Sequence, residues 1–315
     1  MTYFRYLGSI VLGFLLTGIL FIGLIQYQMG APTNTSRWVY ELDALKSNYA
    51  RSIEQPKLLL VSGSNTLYGI SCEAIEQQLN FPCVNTALTQ ELGLDYILSH
   101  ARRLAKPGDT ILLPLEYQLY LANGTPSELS IDYVFAYDTD YLKSANLSTQ
   151  IRYMGGIPFN RLISGILTKL KDINPSDRSY ENRVNQNGDI TDNDKITEAE
   201  KRAINSFQPF TLNEYQLKQY ARETIGQFIQ WCDRHQVKAI ATWPSTVGFP
   251  EYQQPGAQAF FHSIHNLYQT LNVPVWGTPE DSMYENSLFF NSQYHLNAEG
   301  REQRTGQIVK YFANN

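Results

Sequence analysis

The chain is sparing with charge, almost without cysteine, and has no basic block. Charged residues fill 17% of 315 positions, 25 Lys+Arg against 30 Asp+Glu, for a formal net charge of −5. A mildly acidic chain without a Lys/Arg cluster lacks the electrostatic footprint of a nucleic-acid binder, so no nucleic acid is expected as partner. Three cysteines cannot staple a disulfide scaffold, and no CxxC pair points to zinc. No repeat of fixed period is present, which excludes collagen, coiled coil and solenoid. Apolar side chains, at 43%, are too plentiful for intrinsic disorder. The length allows about two domains.

One stretch carries no charge at all. Leu7 to Ile25 reads LGSIVLGFLLTGILFIGLI, and at 1.5 Å per residue it spans about 28 Å, close to the hydrocarbon thickness of a bilayer. The residues after it, QYQMGAPTNTS, offer a poor small-x-small cleavage site, and no Cys follows closely. An uncleaved transmembrane anchor over residues 1–30 is therefore expected rather than a signal peptide. Gly8, Gly13, Gly18 and Gly23 recur every five residues, a spacing that drifts off any one helix face and so makes no dimer stripe. Arg5 precedes the run, and Arg37 is the first charge after it. The positive-inside rule then puts the bulk of the chain outside the cytoplasm. Setting Arg5 aside leaves 24 basic against 30 acidic residues, net −6, which is expected to keep the domain off anionic lipid. Cys72 and Cys83 would sit where a disulfide is permitted; the expectation is nevertheless two buried thiols.

Residues 31–55 read as a linker followed by a stalk helix, with Trp38, Leu42, Leu45 and Tyr49 at helical spacing. A βα rhythm follows. KLLLV (57–61) is a buried strand, 70–79 a helix, FPCVN (81–85) a strand, 92–105 a helix stopped by Pro107-Gly108, and DTILLPL (109–115) a strand. The rhythm breaks over about 117–210, which is read as an insertion over the mouth of the sheet. It has helical pieces at 158–171 and 196–205. Between them lies the polar stretch 174–195, expected to be the most mobile part of the domain because it offers little apolar area to offset ordering. Helices at 213–234, 256–271 and 297–312 and strands at 237–243 and 273–276 complete the domain, 56–315. This pattern predicts an α/β fold with a parallel sheet between helical layers.

Ligands of open parallel sheets bind at the carboxyl ends of strands. Those ends are Ser62-Gly63-Ser64-Asn65-Thr66, Asn85-Thr86-Ala87, Glu116-Tyr117 and Trp243-Pro244-Ser245, joined by Asn291 to Asn297 before the last helix. Ser64, just after a strand and a tight Gly63 turn, suits a nucleophile; its own N–H or one nearby can face an oxyanion. The competing role for Ser64 is a plain helix N-cap. A serine hydroxyl needs a base. His100, His262 and His265 fall inside predicted helices and His235 at a helix end. His295 alone lies in a loop before a terminal helix that Asn297 is suited to cap.

These motifs together resemble the SGNH/GDSL hydrolases. SGSNTLYGI (62–70) is similar to their first block, with Ser64 as nucleophile. VNTALTQELGLDYIL (84–98), KPGDTILLPLEYQLY (106–120) and YHLNAEGREQRT (294–305) resemble blocks of a membrane-anchored bacterial envelope branch. The resemblance implies a three-layer α/β/α sandwich behind one N-terminal transmembrane helix. It implies catalysis by Ser64 and His295, with Ser64 N–H and either Ala87 N–H or the Asn85 side chain as oxyanion donors. Gly63, Asn65 and Glu116 complete the expected oxyanion and substrate set. Three departures stand out, the first being Ala87 where the family's second block carries Gly, though its backbone donor would survive. Asn291 occupies the place of the usual Asp, with Asp281 or Glu285 as distant substitutes, and Glu116 ends the strand where the family carries G-x-N-D; its plainer role is to hydrogen-bond neighbouring loops. The expected activity is an envelope-side serine esterase or O-acyltransferase on a cell-surface glycan or related polymer. No metal or organic cofactor is implied. The expected partners are the bilayer through residues 7–25, a glycan or polymer acceptor, and an integral-membrane acyl-transfer protein. The rival expectation is a catalytically degraded assembly or glycan-binding factor.

Overall fold

The apolar run KLLLV becomes a strand covered on both faces, with Leu58, Leu59 and Leu60 fully buried. The computed structural model describes residues 2–171, 183–194, 196–212 and 216–314. Its first half runs α1 (Thr2–Gln28), α2 (Arg37–Ser52), β1 (Leu58–Leu60), α3 (Ser64–Gly69), α4 (Cys72–Leu79), β2 (Cys83–Asn85), α5 (Leu94–Leu104), β3 (Thr110–Leu113) and α6 (Tyr117–Tyr120). Four short helices follow: α7 (Glu128–Ala136), α8 (Thr139–Ser144), α9 (Leu147–Gly155) and α10 (Phe159–Lys171). Then come α11 (Glu198–Asn205), α12 (Gln219–Arg234), β4 (Lys238–Thr242), β5 (Thr246–Val247), α13 (Pro255–Thr270), β6 (Val275–Trp276), β7 (Met283–Tyr284) and α14 (Ala298–Asn314).

The chain divides into two compact units, Met1–Tyr40 with Pro126–Asp177, and Glu41–Thr125 with Arg178–Asn315. The second unit holds a five-stranded parallel sheet in the order β2-β1-β3-β4-β6, with β5 and β7 paired separately. Leu59 stands opposite Val84 on one side and Ile111 on the other. The α/β class read from the rhythm is present. The chain steps from β1 out to β2 and returns to β3 on the other side, so the strand order reverses at β1. Such a reversal opens a crevice beyond the carboxyl ends of β1 and β3.

Three local readings are corrected. The helix predicted over 70–79 starts at Cys72 and is preceded by a separate helix, Ser64–Gly69, because Ile70 is extended and the Ser71 side chain accepts from Ala74 N at 3.2 Å to cap a new one. Cys72 and Cys83 are not thiols but a disulfide, with Cα atoms 5.0 Å apart. It ties the start of α4 to the start of β2, and closing a loop of this length contributes about 3 kcal/mol in the chain-entropy account. The polar stretch expected to be the most mobile part of the domain holds defined turns over 183–194. Val184 bridges Ile190 through a turn with Gly188 at φ +86°, where a Cβ would collide with Asn85 O and Lys46. Residues 174–182 and 195 of that stretch lie outside the described residues, as does 213–215 at the start of the helix expected over 213–234.

The first unit closes around one buried ion pair. Arg161 Nε meets Asp132 Oδ1 at 2.6 Å, while Asp132 Oδ2 accepts from Thr33 and Ser36 hydroxyls at 2.5 Å each. Arg161 also donates to Gln28 Oε1 at 2.6 Å and to Ala31 O at 3.1 Å. Five donors in one planar fork suit arginine to such a junction. Among the described residues one helix, α1, is long and apolar enough to cross a membrane over Tyr6–Gln28, by length and composition.

Candidate active site

Ser64 and His295 are 231 positions apart in sequence and in hydrogen-bond contact in space. Ser64 Oγ lies 2.8 Å from His295 Nε2, and His295 Nδ1 lies 2.7 Å from Asn291 Oδ1. An amide oxygen only accepts, so Nδ1 carries the proton and Nε2 presents a lone pair to the serine hydroxyl. Asn291, first choice among the acceptors weighed from sequence, is the one in contact. Asp281 is engaged elsewhere, accepting from Thr278 N at 2.8 Å and from Tyr311 Oη at 3.4 Å.

The fold fixes both partners. Ser64 opens α3 and is not its cap; Gly63 holds that position. The turn demands glycine, since a Cβ at residue 63 would collide with Glu116 Oε1 and the Gln90 backbone. His295 sits in a tight loop closed by Phe290 N donating to His295 O at 2.7 Å and His295 N donating to Ser292 O at 3.0 Å. Fully buried Phe289 and Leu296 bridge at the loop's base. Asn297 caps α14 as its position predicts, accepting from Gly300 N at 3.0 Å. That helix is in turn fastened to β4 by buried Arg304, which donates to Trp243 O at 2.7 Å.

The expected oxyanion and substrate residues are drawn to this site but are occupied. Glu116, at the crevice between β1 and β3, accepts from Ser62 Oγ (2.8 Å), Gly63 N (3.0 Å) and Asn65 N (3.1 Å). Burial raises its carboxyl above the usual range, against these lowering hydrogen bonds. Glu116 therefore holds the loop that presents Ser64, its plainer role. Asn65 donates its amide to Pro114 O at 2.9 Å. Asn85 Nδ2 is shared among Thr66 O (3.1 Å), Ile70 O (3.1 Å) and Asp189 Oδ1 (3.2 Å), and Asn85 Oδ1 takes Ala87 N at 3.3 Å. Neither Asn85 nor Ala87 keeps a donor for an oxyanion, because buried polar groups must satisfy one another. Ser64 N–H remains. It lies in the first turn of α3, where N–H groups have no partner within the helix.

Three residues of the site were not singled out from sequence. Tyr68, one turn after Ser64, stacks on the His295 imidazole with ring centroids 4.2 Å apart and planes 12° apart. Asn193 donates to Leu296 O at 2.8 Å and to Tyr68 O at 3.4 Å, so one side chain binds the His295 loop and α3 together. Asp189, fully buried, accepts from Cys72 N and Glu73 N at 2.9 Å each and from Ser71 Oγ at 3.1 Å. Only the i, i+4 spacing of Ser64 and Tyr68 carried a signal. Among the described residues no group of three His, Cys, Asp or Glu could hold a metal ion.

Burial pushes the His295 imidazole down to about 4. The neutral form, which is the base, then persists at every pH well above 4. Any turnover that uses His295 is expected to rise with pH through about 4 and to be flat from pH 5.5 to 7.5, and a pH profile of kcat/KM measures this. An acid limb at the ordinary histidine value of about 6.5 would show that burial does not depress His295.

Comparison with protein-family models finds no match for this chain, and comparison with curated proteins finds none either. The functional reading therefore stands on the geometry of the site.

Proposed function

We propose that the chain is a membrane-anchored, envelope-side serine esterase or O-acyltransferase of SGNH-like architecture, acting on a cell-surface glycan or related polymer. The observation that carries this is the continuous relay Ser64–His295–Asn291, with both contacts under 3 Å. Ser64 Oγ attacks the acyl carbonyl while His295 Nε2 takes the hydroxyl proton. The tetrahedral oxyanion lies toward Ser64 N–H. His295 then returns the proton to the leaving alcohol, and an acyl–Ser64 ester remains. Water releases the acid; an acceptor hydroxyl, deprotonated by the same Nε2, carries the acyl group away. Anchoring beside a membrane-bound acyl donor favours the second outcome. No cofactor enters any step.

The architecture is supported by two separate helix groupings in the sheet unit, α5 with α12 and α14 with α3 and α4, as a three-layer sandwich requires. The uncharged run Leu7–Ile25 within α1 supports an anchor, and Arg5 before it supports the sheet unit's lying outside the cytoplasm. The Cys72–Cys83 disulfide supports the same side, since such bonds persist in oxidising compartments.

The competing reading is a non-catalytic envelope assembly or glycan-binding factor. It draws on Asn291, an amide where a carboxylate would stabilise the imidazolium. Hydrolysis of a short-chain aryl ester by the full-length protein in detergent decides between them. The expected result is turnover that falls to background in Ser64→Ala, with unchanged thermal unfolding. Turnover equal in wild type and Ser64→Ala overturns the enzyme reading and leaves the assembly factor.

A further inference from the structure

The first unit carries an apolar face that no other described residue covers. On α10, Phe159, Ile163, Leu167 and Leu170 are 75%, 41%, 43% and 66% exposed. At 100° per residue they fall within an arc of about 80°. On α9, Leu147 and Ile151, one turn apart, are 71% and 60% exposed. Soluble surfaces rarely gather large apolar side chains into one stripe.

The remaining face of α10 shows where that stripe lies. Arg161 reaches Ala31 O and Gln28 Oε1. Gly165 sits so close to Gln28 that a Cβ there would meet its side chain. Lys169 Nζ lies over the Tyr27 ring, 5.7 Å from its centroid. Along α10 the partners thus step back from Ala31 to Gln28 to Tyr27. The helix packs against the end of α1, beside the apolar run that ends at Ile25. Tyr27 is where an aromatic belt residue belongs, and a lysine above it is where a snorkelling ammonium belongs. From Leu147 to Lys171 the chain has Arg152, Arg161, Lys169 and Lys171 and no Asp or Glu. Arg152, Lys169 and Lys171 are exposed. This is a basic, apolar patch inside an acidic chain, and the net charge that argued against anionic lipid averages it away.

We infer that α10, with the apolar side of α9, lies in the headgroup layer of the bilayer that α1 crosses, as a second membrane contact that prefers anionic lipid. The inference rests on the reading of α1 as membrane-spanning. Its depth is set by the α1 junction, its apolar stripe faces the acyl boundary, and Lys169 and Lys171 meet lipid phosphates. An anchor alone lets a domain swivel. A second contact at the same surface fixes the first unit's orientation to the membrane.

The test uses the full-length protein in vesicles of phosphatidylcholine with phosphatidylglycerol, labelled with an environment-sensitive fluorophore at single new cysteines. Cys232 is buried and the other two cysteines are bonded, so only the introduced thiols react. Positions are Ile163→Cys and Leu170→Cys on the stripe, Leu15→Cys in α1, and Asp140→Cys, whose native side chain is 88% exposed. The expected result is that positions 163 and 170 resist aqueous iodide and are quenched by headgroup-level nitroxide lipid, while 140 is open to iodide and 15 is quenched only by deep nitroxides. Blue shifts at 163 and 170 should grow with the phosphatidylglycerol fraction. Labels at 163 and 170 as open to iodide as 140, with 15 protected, would overturn the inference and leave the anchor standing. Iodide access at 15 as well would remove the anchor itself. Protection at 163 and 170 that appears only as protein density in the vesicle rises would assign the stripe to a second copy of the chain, and overturns the lipid contact.

Discussion

Asn291→Asp should raise aryl-ester turnover by up to about 10⁴-fold, since that is what the triad carboxylate is worth in the serine-protease case. The substitution is isosteric, and the His295 Nδ1 contact at 2.7 Å is already in place. Asn291 is exposed, so the new carboxylate keeps most of its hydration and costs little to install. What changes is the charge beside Nδ1–H. In the native chain the imidazolium formed on proton transfer meets only an amide dipole, in surroundings that hold His295 near 4. A carboxylate there favours the charged form and raises the imidazole value, so the acid limb moves up in pH while the plateau rises. Both shifts come from one pH series on the variant and the native protein. A variant with an unmoved acid limb and no gain in rate would remove Asn291 from the relay.

Glu116→Ala should be the most damaging substitution near the site that touches no reacting atom. Its carboxylate serves Gly63 N, Asn65 N and Ser62 Oγ from a fully buried position. Ser62 keeps a second partner in Pro114 O at 2.7 Å, but the two backbone N–H groups would lose theirs. At about 1–3 kcal/mol for each buried unsatisfied donor, the loss is about 2–6 kcal/mol. Urea unfolding of Glu116→Ala measures it. Turnover should fall further than stability accounts for, because the loop that aims Ser64 is the one set free. A change below about 0.5 kcal/mol, the range of ordinary surface substitutions, would show that Glu116 does not support the turn.

Ser64 and His295 were readable because each has a positional signature. One follows a buried strand through a glycine, and the other precedes a capped terminal helix. Their proximity follows from parallel topology, which collects loops at one end of a sheet. The roles of Asn85 and Ala87 were not readable. A polar group at a strand end can serve a ligand or another loop, and only the neighbours in space decide. The turns over 183–194 were hidden for a related reason. The stretch has few apolar residues, and its stability comes from Asp189 and Asn193 serving backbone groups more than a hundred positions away. The disulfide was equally invisible, since an 11-residue separation says nothing about whether α4 and β2 begin side by side. The apolar stripe on α10 was legible as helical spacing, but the absence of a cover for it was not.

The wide separation of Ser64 and His295 has a consequence for timing. The nucleophile is among the first parts of the sheet unit to leave the ribosome and the base among the last. Four of the five strands of the parallel sheet can pair before residue 243 has been passed, yet no proton acceptor stands beside Ser64 until α14 has docked its arginine on β4. On the proposed function, a chain without α14 would therefore be inactive, however much of its sheet has formed. Ser64 is thereby kept from reacting with esters until α14 has formed and the His295 loop has closed on it.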